Sequence, residues 1–151
     1  MKHAAALTVV AIVLAGCHSV VPDAPAAPVP AVFSVDDMAD GDGNITGCTT
    51  TLYRDTTRRH QIFVEDDVES GGVGYIRING QLLKLDLTRS SHSDTGGLSV
   101  FTSADKDVQV VEDFLTGAAH QESDSVDSTG SLSVTYRGAV QSFIFTGGTA
   151  C

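Results

Sequence analysis

The side chains of Asp40, Asp42 and Asn44 have the types and the spacing of a metal site. Single glycines separate them, and hard oxygen ligands at alternate positions suit Ca²⁺. An EF-hand loop that began at Asp40 would need Gly at its sixth position and Glu at its twelfth, where the chain has Ile45 and Thr51. The EF-hand is therefore excluded, while a non-standard calcium site and a solvated turn both stay open.

A second acidic run lies shortly before the glycines at 71 and 72. It contains Glu65, Asp66, Asp67 and Glu69. Carboxylates at a hairpin tip keep their hydration, so a solvated tip is the structure that this pattern favours. Carboxyl groups on such tips lack the apolar surroundings that prepare a pair for acid–base catalysis.

The sequence contains no motif of a known catalytic type. His60, His92 and His120 are scattered, without the His-x₃-His or His-Glu-x-x-His spacing of a zinc site. Gly-x-Ser-x-Gly is absent, and the glycines from Gly71 to Gly74 do not follow a phosphate-binding pattern. These observations predict a protein that is not an enzyme.

The first 16 residues have the features of an export signal. A short basic start is followed by 12 mainly apolar residues from Ala4 to Ala15, too few to span ~30 Å of hydrocarbon as a helix. The sequence Leu14-Ala15-Gly16-Cys17 then resembles the lipobox of bacterial lipoproteins. This resemblance implies cleavage before Cys17 and lipidation of its sulfur.

A lipidated Cys17 would make the membrane the first partner of this chain, through acyl chains. By resemblance to Gram-negative lipoproteins, His18 in place of Asp implies transport to the outer membrane, with the domain facing the periplasm. Loss of residues 1–16 leaves 8 basic and 19 acidic side chains, a net charge of −11. This charge argues against nucleic acid as a partner and favours a cationic protein or divalent cations, although solubility alone also explains it.

Two further cysteines, Cys48 and Cys151, form an even pair in an exported, oxidising compartment. A disulfide between them would close a loop of roughly 100 residues, worth at most ~4–5 kcal/mol in the chain-entropy model. The absence of any other pair excludes a thiolate zinc site.

The composition divides the chain into a signal peptide (1–16), a tether (17–44) and a folded domain (45–151). All four prolines lie between residues 18 and 35, which predicts an extended, semi-rigid segment. The acidic, glycine-containing residues 36–44 complete the tether. The domain is expected to begin near Ile45.

The clearest element of the domain is a hairpin around Asn79-Gly80, since both residues of a type I′ turn need positive φ. A two-residue turn pairs Ile78 with Gln81 and Ile76 with Leu83. Apolar residues then share one face of the hairpin. The members of that face are Ile76, Ile78, Leu83, Leu85 and Leu87.

Weaker patterns extend this hairpin to an all-β fold. Candidate strands lie at 49–54, 60–65, 98–103, 108–113, 132–136 and 140–145. They predict about eight antiparallel strands in a meander, as a small barrel or a strongly curved sheet. Residues 116–130 are polar and rich in serine, which predicts one long loop.

Residues 79–85 and 97–101 resemble the membrane-bound inhibitors of c-type lysozyme. That resemblance implies a disulfide-stapled antiparallel barrel. In that family a Ser-Gly-x-x-Tyr loop enters the lysozyme cleft, but residues 90–97 here lack the Gly after the first serines and the Tyr. The inhibitory residues therefore do not transfer to this chain.

Three functions stay open at this point. The first is a non-enzymatic envelope lipoprotein whose β-domain binds an unidentified partner. The second is an inhibitor of a basic cell-wall hydrolase of the lysozyme type, because the acidic charge would steer a cationic enzyme. The third is a calcium-dependent envelope module that uses Asp40, Asp42 and Asn44, with Ca²⁺ as its cofactor.

Overall fold

The computed structural model describes residues 32–43, 45–66 and 72–151. All regular structure in these residues is antiparallel β-sheet, in nine strands. The strands are β1 (Val35–Asp36), β2 (Thr49–Tyr53), β3 (Gln61–Asp66), β4 (Val73–Ile78), β5 (Gln81–Ser93), β6 (Gly96–Thr102), β7 (Val108–His120), β8 (Ser125–Tyr136) and β9 (Ala139–Ala150).

Strands β2 to β9 form a closed barrel. Each strand pairs with the next along the chain, and β9 pairs with β2 to complete the circle. The short β1 adds to β4 outside this circle. The prediction of an all-β meander of about eight strands is confirmed, and the barrel leaves no long unpaired strand edge.

The hairpin of β4 and β5 has the predicted register. Ile78 pairs with Gln81 and Ile76 with Leu83, and both Asn79 (φ 50°) and Gly80 (φ 78°) have positive φ. Ile76 is fully buried and Leu83 partly buried against the core. The predicted apolar face therefore points into the barrel.

The barrel interior is filled by alternate residues of the strands. Phe63 of β3 and Phe101 of β6 meet edge to face, with 5.2 Å between ring centroids. Gly74 of β4 lies beside both rings, and a Cβ there would overlap Phe63. Further core residues are Leu52, Ile76, Ile78, Leu85, Val108, Val110, Leu132, Val134 and Phe145.

The residues before β2 close one end of the barrel, which we call the plugged end. Phe33 and Val35 are 4% and 5% exposed and belong to the core. Val35 pairs with Ile78, and the Gln141 side chain donates to the Phe33 carbonyl. The folded domain therefore begins before Ile45, because two apolar side chains from the expected tether fill the plugged end of the barrel.

The region expected as a loop, residues 116–130, is mostly strand. It comprises the end of β7, a turn, and the start of β8, with Thr116 paired to Ser128. Its polar composition reflects a barrel end without an apolar core, which we call the open end. There β2, β4, β6 and β8 begin and β3, β5, β7 and β9 end.

Three predictions fall outside the described residues. They are the signal peptide (1–16), lipidation of Cys17, and the proline-rich part of the tether. Within the described ranges, no helix is long and apolar enough to cross a membrane.

Candidate functional site in the open end of the barrel

A cavity of about 260 Å³ lies inside the open end of the barrel. It is partly enclosed, with buried residues at its floor and exposed residues at its mouth. The lining residues are Cys48, Thr50, Glu65, His92, Ser99, Glu112, Phe114, Ser128, Thr149 and Cys151.

The polar floor continues the same strand alternation that builds the apolar core. In β3, Glu65 follows Phe63 on the inward face, and in β7, Glu112 follows Val110. Ser99 occupies the corresponding position of β6, two residues before Phe101. The interior therefore changes from aliphatic and aromatic to carboxyl and hydroxyl along the barrel axis.

Glu65 and Glu112 are the central feature of this cavity. They are 3% and 2% exposed, and their carboxyl groups lie close enough to share a hydrogen bond. Strands β3 and β7 are not neighbours in the sheet, so this contact crosses the barrel. Two carboxyl groups can share such a bond only if one of them carries a proton.

The environment of the pair decides where this proton lies. Burial, and then the negative charge of Glu112, raise the pKa of Glu65 well above its ordinary value. Burial also raises the pKa of Glu112, but the hydrogen bond from Glu65 opposes that shift. Glu65 is therefore the carboxyl group that holds its proton more strongly, and Glu112 is the one that would ionise first.

A negative charge on this pair would find only one basic side chain, His92, among the described residues that line the cavity. None of the cavity-lining residues is Lys or Arg. The ion pairs of the described arginines join Arg58 to Asp127, Arg77 to Asp42 and Arg137 to Asp107, all outside the cavity. A buried charge of this kind is costly without a partner.

Two polar atoms of the cavity wall also lack partners within the described ranges. They are Oε1 of Glu65 and Oγ of Ser128. Buried polar atoms normally make at least one hydrogen bond. The Thr50 and Thr149 hydroxyls, by contrast, bond to each other at 2.7 Å.

The mouth of the cavity is fixed by the predicted cysteine pair. Cys48 and Cys151 lie at disulfide distance, with Cα atoms 4.2 Å apart. Asp66 supports the approach to Cys48, because its Oδ1 accepts hydrogen bonds from the backbone amides of Thr46 and Gly47. The hydrogen bond from the Thr46 backbone amide is the main reason that the pKa of the Asp66 carboxyl is lowered.

The prediction that Glu65 and Asp66 lie on a solvated tip is wrong. Both are buried at the end of β3, Glu65 facing the cavity and Asp66 capping the chain before β2. The inward alternation from Phe63 to Glu65 is the signal that could have revealed this. The remaining acidic residues of that run, 67 and 69, lie outside the described ranges.

The three histidines occupy separate places. His92 Nε2 lies 3.3 Å from Ser99 Oγ, and its ring meets Phe114 edge to face at the cavity mouth. His60 contacts Asp37 at 2.6 Å, and that contact is the main reason its pKa is raised. His120 contacts Asp127 at 2.9 Å.

The calcium hypothesis involves residues near the plugged end. Asp42 binds Arg77 through both carboxylate oxygens, at 2.7 and 2.9 Å, and accepts the Ala39 amide. Arg77 is the main cause of the lowered pKa of Asp42. Asp40 is exposed and Asn44 lies outside the described residues, so a calcium ion here would have to displace Arg77.

No group of three or more potential metal-binding side chains occurs in the described part of the chain. The calcium site with Asp40, Asp42 and Asn44 stays a prediction, and the Arg77 ion pair gives Asp42 a structural role.

Exposed carboxylates surround the open end. Asp94 lies in the turn between β5 and β6, and Glu122 and Asp124 lie in the turn between β7 and β8. Neither turn contains Lys or Arg. We call these three residues the acidic rim, whose field would attract cations and repel anions near the mouth.

The segment expected to hold a lysozyme-binding loop, residues 90–97, forms the end of the β5–β6 hairpin. Ser90 pairs with Ser99 and His92 with Gly97. Only Asp94 and Thr95 form the turn. Any loop that enters an enzyme cleft from this hairpin would therefore be short.

Comparison of the chain with protein families, curated proteins and solved structures finds no match.

Proposed function

We propose that this chain is an outer-membrane lipoprotein whose periplasm-facing barrel binds a small ligand in the cavity of its open end. The cavity carries this proposal, since it combines two buried carboxyl groups with unpartnered polar atoms. A few polar groups that converge in an otherwise closed apolar fold are typical of a ligand site. The lipobox at residues 14–17 supports the anchor.

The geometry favours binding over catalysis. His92 and Ser99 resemble the start of a Ser–His pair, but Ser99 lies mid-strand, paired with Ser90 on one side and Glu112 on the other. Its neighbouring backbone amides therefore belong to the sheet and do not form an oxyanion hole. No carboxylate of the described residues orients the His92 ring.

The cavity volume limits the size of the ligand. A cavity of ~150 Å³ holds benzene, which has six non-hydrogen atoms. By that comparison, about 260 Å³ holds a molecule of about ten non-hydrogen atoms. Peptides and lipids in their entirety are too large for this site.

The ligand proposal is tested by NMR with small cationic, neutral and anionic aromatic fragments added to the full chain in detergent. At least one fragment should shift the amides of Ser99, Glu112 and Ser128, while those of the plugged end stay unchanged. In Ser128→Leu, which fills the cavity without removing a hydrogen bond, these shifts should vanish. If no fragment perturbs the cavity amides, the ligand site is refuted.

The anchor is tested with Cys17→Ala. The wild-type chain should incorporate labelled palmitate and fractionate with the outer membrane, whereas the variant should stay unprocessed or become soluble. Equal fractionation of both proteins, without label in the wild type, would remove the anchor from the proposal.

The acidic rim favours a second candidate function, inhibition of a basic cell-wall hydrolase. Asp94, Glu122 and Asp124 are exposed around the open end and would steer a cationic enzyme toward it. Micromolar protein at low salt should then inhibit c-type lysozyme, and replacing the three carboxylates by amides should weaken inhibition. Full lysozyme activity in the presence of the wild-type protein would eliminate this candidate.

A further inference from the structure

We infer that the ligand of the cavity is a small organic ammonium ion, seated against Glu65 and Glu112 with its apolar part toward Phe114. This inference rests on the proposed function and names the class of ligand. It starts from the burial of the pair, since two carboxyl groups face the cavity without a Lys or Arg partner among the described residues.

The unpartnered atoms of the wall match the hydrogen-bonding capacity of an ammonium group. A primary ammonium has three N–H donors and no acceptor. Oε1 of Glu65 and Oγ of Ser128 are available to accept, and the Glu112 carboxylate accepts and neutralises the charge. An ammonium ion therefore offers hydrogen-bond donors to these two atoms and a positive charge to the carboxyl pair.

The other ligand classes fit less well. An anion would meet the buried carboxylate at the floor and the acidic rim at the mouth, and like charges in a low dielectric repel strongly. A neutral alcohol would satisfy a hydrogen bond but would offer no compensating charge to the ionised form of Glu112. A metal ion would find Glu65, Glu112 and His92 too dispersed to act as one ligand group among the described residues.

The walls above the pair suit an apolar body. The Phe114 ring and the Cys48–Cys151 disulfide border the space between the floor and the mouth. An ammonium ion with a ring or short alkyl group, of about ten non-hydrogen atoms, therefore fits both the floor and the walls.

Three nearly isosteric probes separate charge from shape: benzylamine, benzyl alcohol and benzoate. Binding of each to the full chain is measured at neutral pH by calorimetry and NMR. We expect benzylamine to bind about tenfold or more tightly than benzyl alcohol, because charge-assisted hydrogen bonds are about twice as strong as neutral ones. Benzoate should not bind.

Two variants test whether the preference for benzylamine depends on the Glu65–Glu112 pair. Glu65→Gln/Glu112→Gln keeps both side-chain shapes and should bring benzylamine down to the affinity of benzyl alcohol. Glu122→Gln removes one carboxylate from the acidic rim and should leave the preference almost unchanged. Preserved melting transitions in all variants show that they are folded.

The outcomes distinguish the inference from the proposed function. Equal binding of benzylamine and benzyl alcohol to the wild type, with cavity shifts for both, refutes the ammonium class and leaves a neutral-ligand site. A benzylamine preference that persists in the double variant also refutes it, since the charge would then lie elsewhere. Failure of all three probes to shift the cavity amides overturns the ligand site itself.

Discussion

The ring of Phe33 packs against the ring of Tyr136, with 5.6 Å between their centroids and 56° between their planes. Phe33 precedes the first strand of the barrel, and Tyr136 ends β8. A side chain from a segment with the composition of a linker thus completes the core of the barrel at its plugged end.

Phe33→Ala should therefore destabilise the domain. The ring is 4% exposed, and truncation of a buried Phe costs about 3–5 kcal/mol. Val32→Ala is the matched control, because Val32 is 97% exposed and should change stability by less than about 0.5 kcal/mol. Urea denaturation measures both values. A small effect at Phe33 would mean that the residues before β2 are not part of the cooperative fold.

The shared proton of Glu65 and Glu112 should make stability depend on pH. Because the pKa of Glu65 is raised in the folded state, the folded protein retains a proton that the unfolded chain has lost. The contribution of this pair to stability should thus be highest below the ordinary Glu pKa and fall as the pH rises toward the raised value.

Glu65→Gln removes this titration while keeping the shape of the side chain. We expect the stability of the variant relative to the wild type to increase from about pH 4.5, the ordinary Glu pKa, to about pH 8, because only in the wild type does position 65 bind a proton in the folded state that the unfolded chain has lost. Urea denaturation across this pH range gives the profile, with Glu122→Gln as control. Parallel profiles for wild type and Glu65→Gln would contradict a buried, protonated Glu65.

The Cys48–Cys151 disulfide should account for a large share of the stability. It spans 103 residues, and in the chain-entropy model closing such a loop is worth about 4–5 kcal/mol. Intact mass after alkylation should show no free thiol at either position until reductant is added. Reduction should lower the melting temperature of the wild type but not of Cys48→Ser/Cys151→Ser, and two alkylated thiols without reductant would end the idea.

Alanine substitutions at adjacent positions of the β4–β5 hairpin should differ strongly in their effect on stability. Leu85 is fully buried, so Leu85→Ala should cost about 2–5 kcal/mol. Lys84 is exposed on the other face, so Lys84→Ala should cost less than about 0.5 kcal/mol. Gly80→Val should also destabilise, because a β-branched residue resists positive φ. Comparable losses at Lys84 and Leu85 would indicate a register shifted by one residue.

The sequence was sufficient to predict the β4–β5 hairpin, because the chemistry of the turn and the apolar pattern of the strands agree there. The Asn79-Gly80 turn demands positive φ, and the alternation of Ile76 and Ile78 then determines which face is inward. Closure of the barrel between β2 and β9 follows from pairing between residues about 90 or more apart in sequence. No local signal carries that pairing, although the cysteine pair at the same ends of these strands indicated it.

Sequence analysis did not find the candidate site because its residues are polar and yet point inward, whereas strand prediction assumes that inward residues are apolar. A carboxyl group is normally exposed, so Glu65 was grouped with its acidic neighbours and Glu112 was not considered. Ser128 and Thr149 lie inward although they resemble loop residues. Conversely, Phe33 and Val35 were assigned to the tether because four prolines precede them. In each case burial comes from distant strands.

The plugged end and the cavity lie at opposite ends of the barrel, and this arrangement determines which end of the domain the tether would reach. The described chain enters the domain at Val32, beside the plugged end, while the cavity opens at the far end of the barrel. In the proposed anchored protein, the tether would therefore join the domain at its closed base, at the end opposite the mouth. Solutes would thus enter the cavity at the end of the barrel that the tether does not occupy.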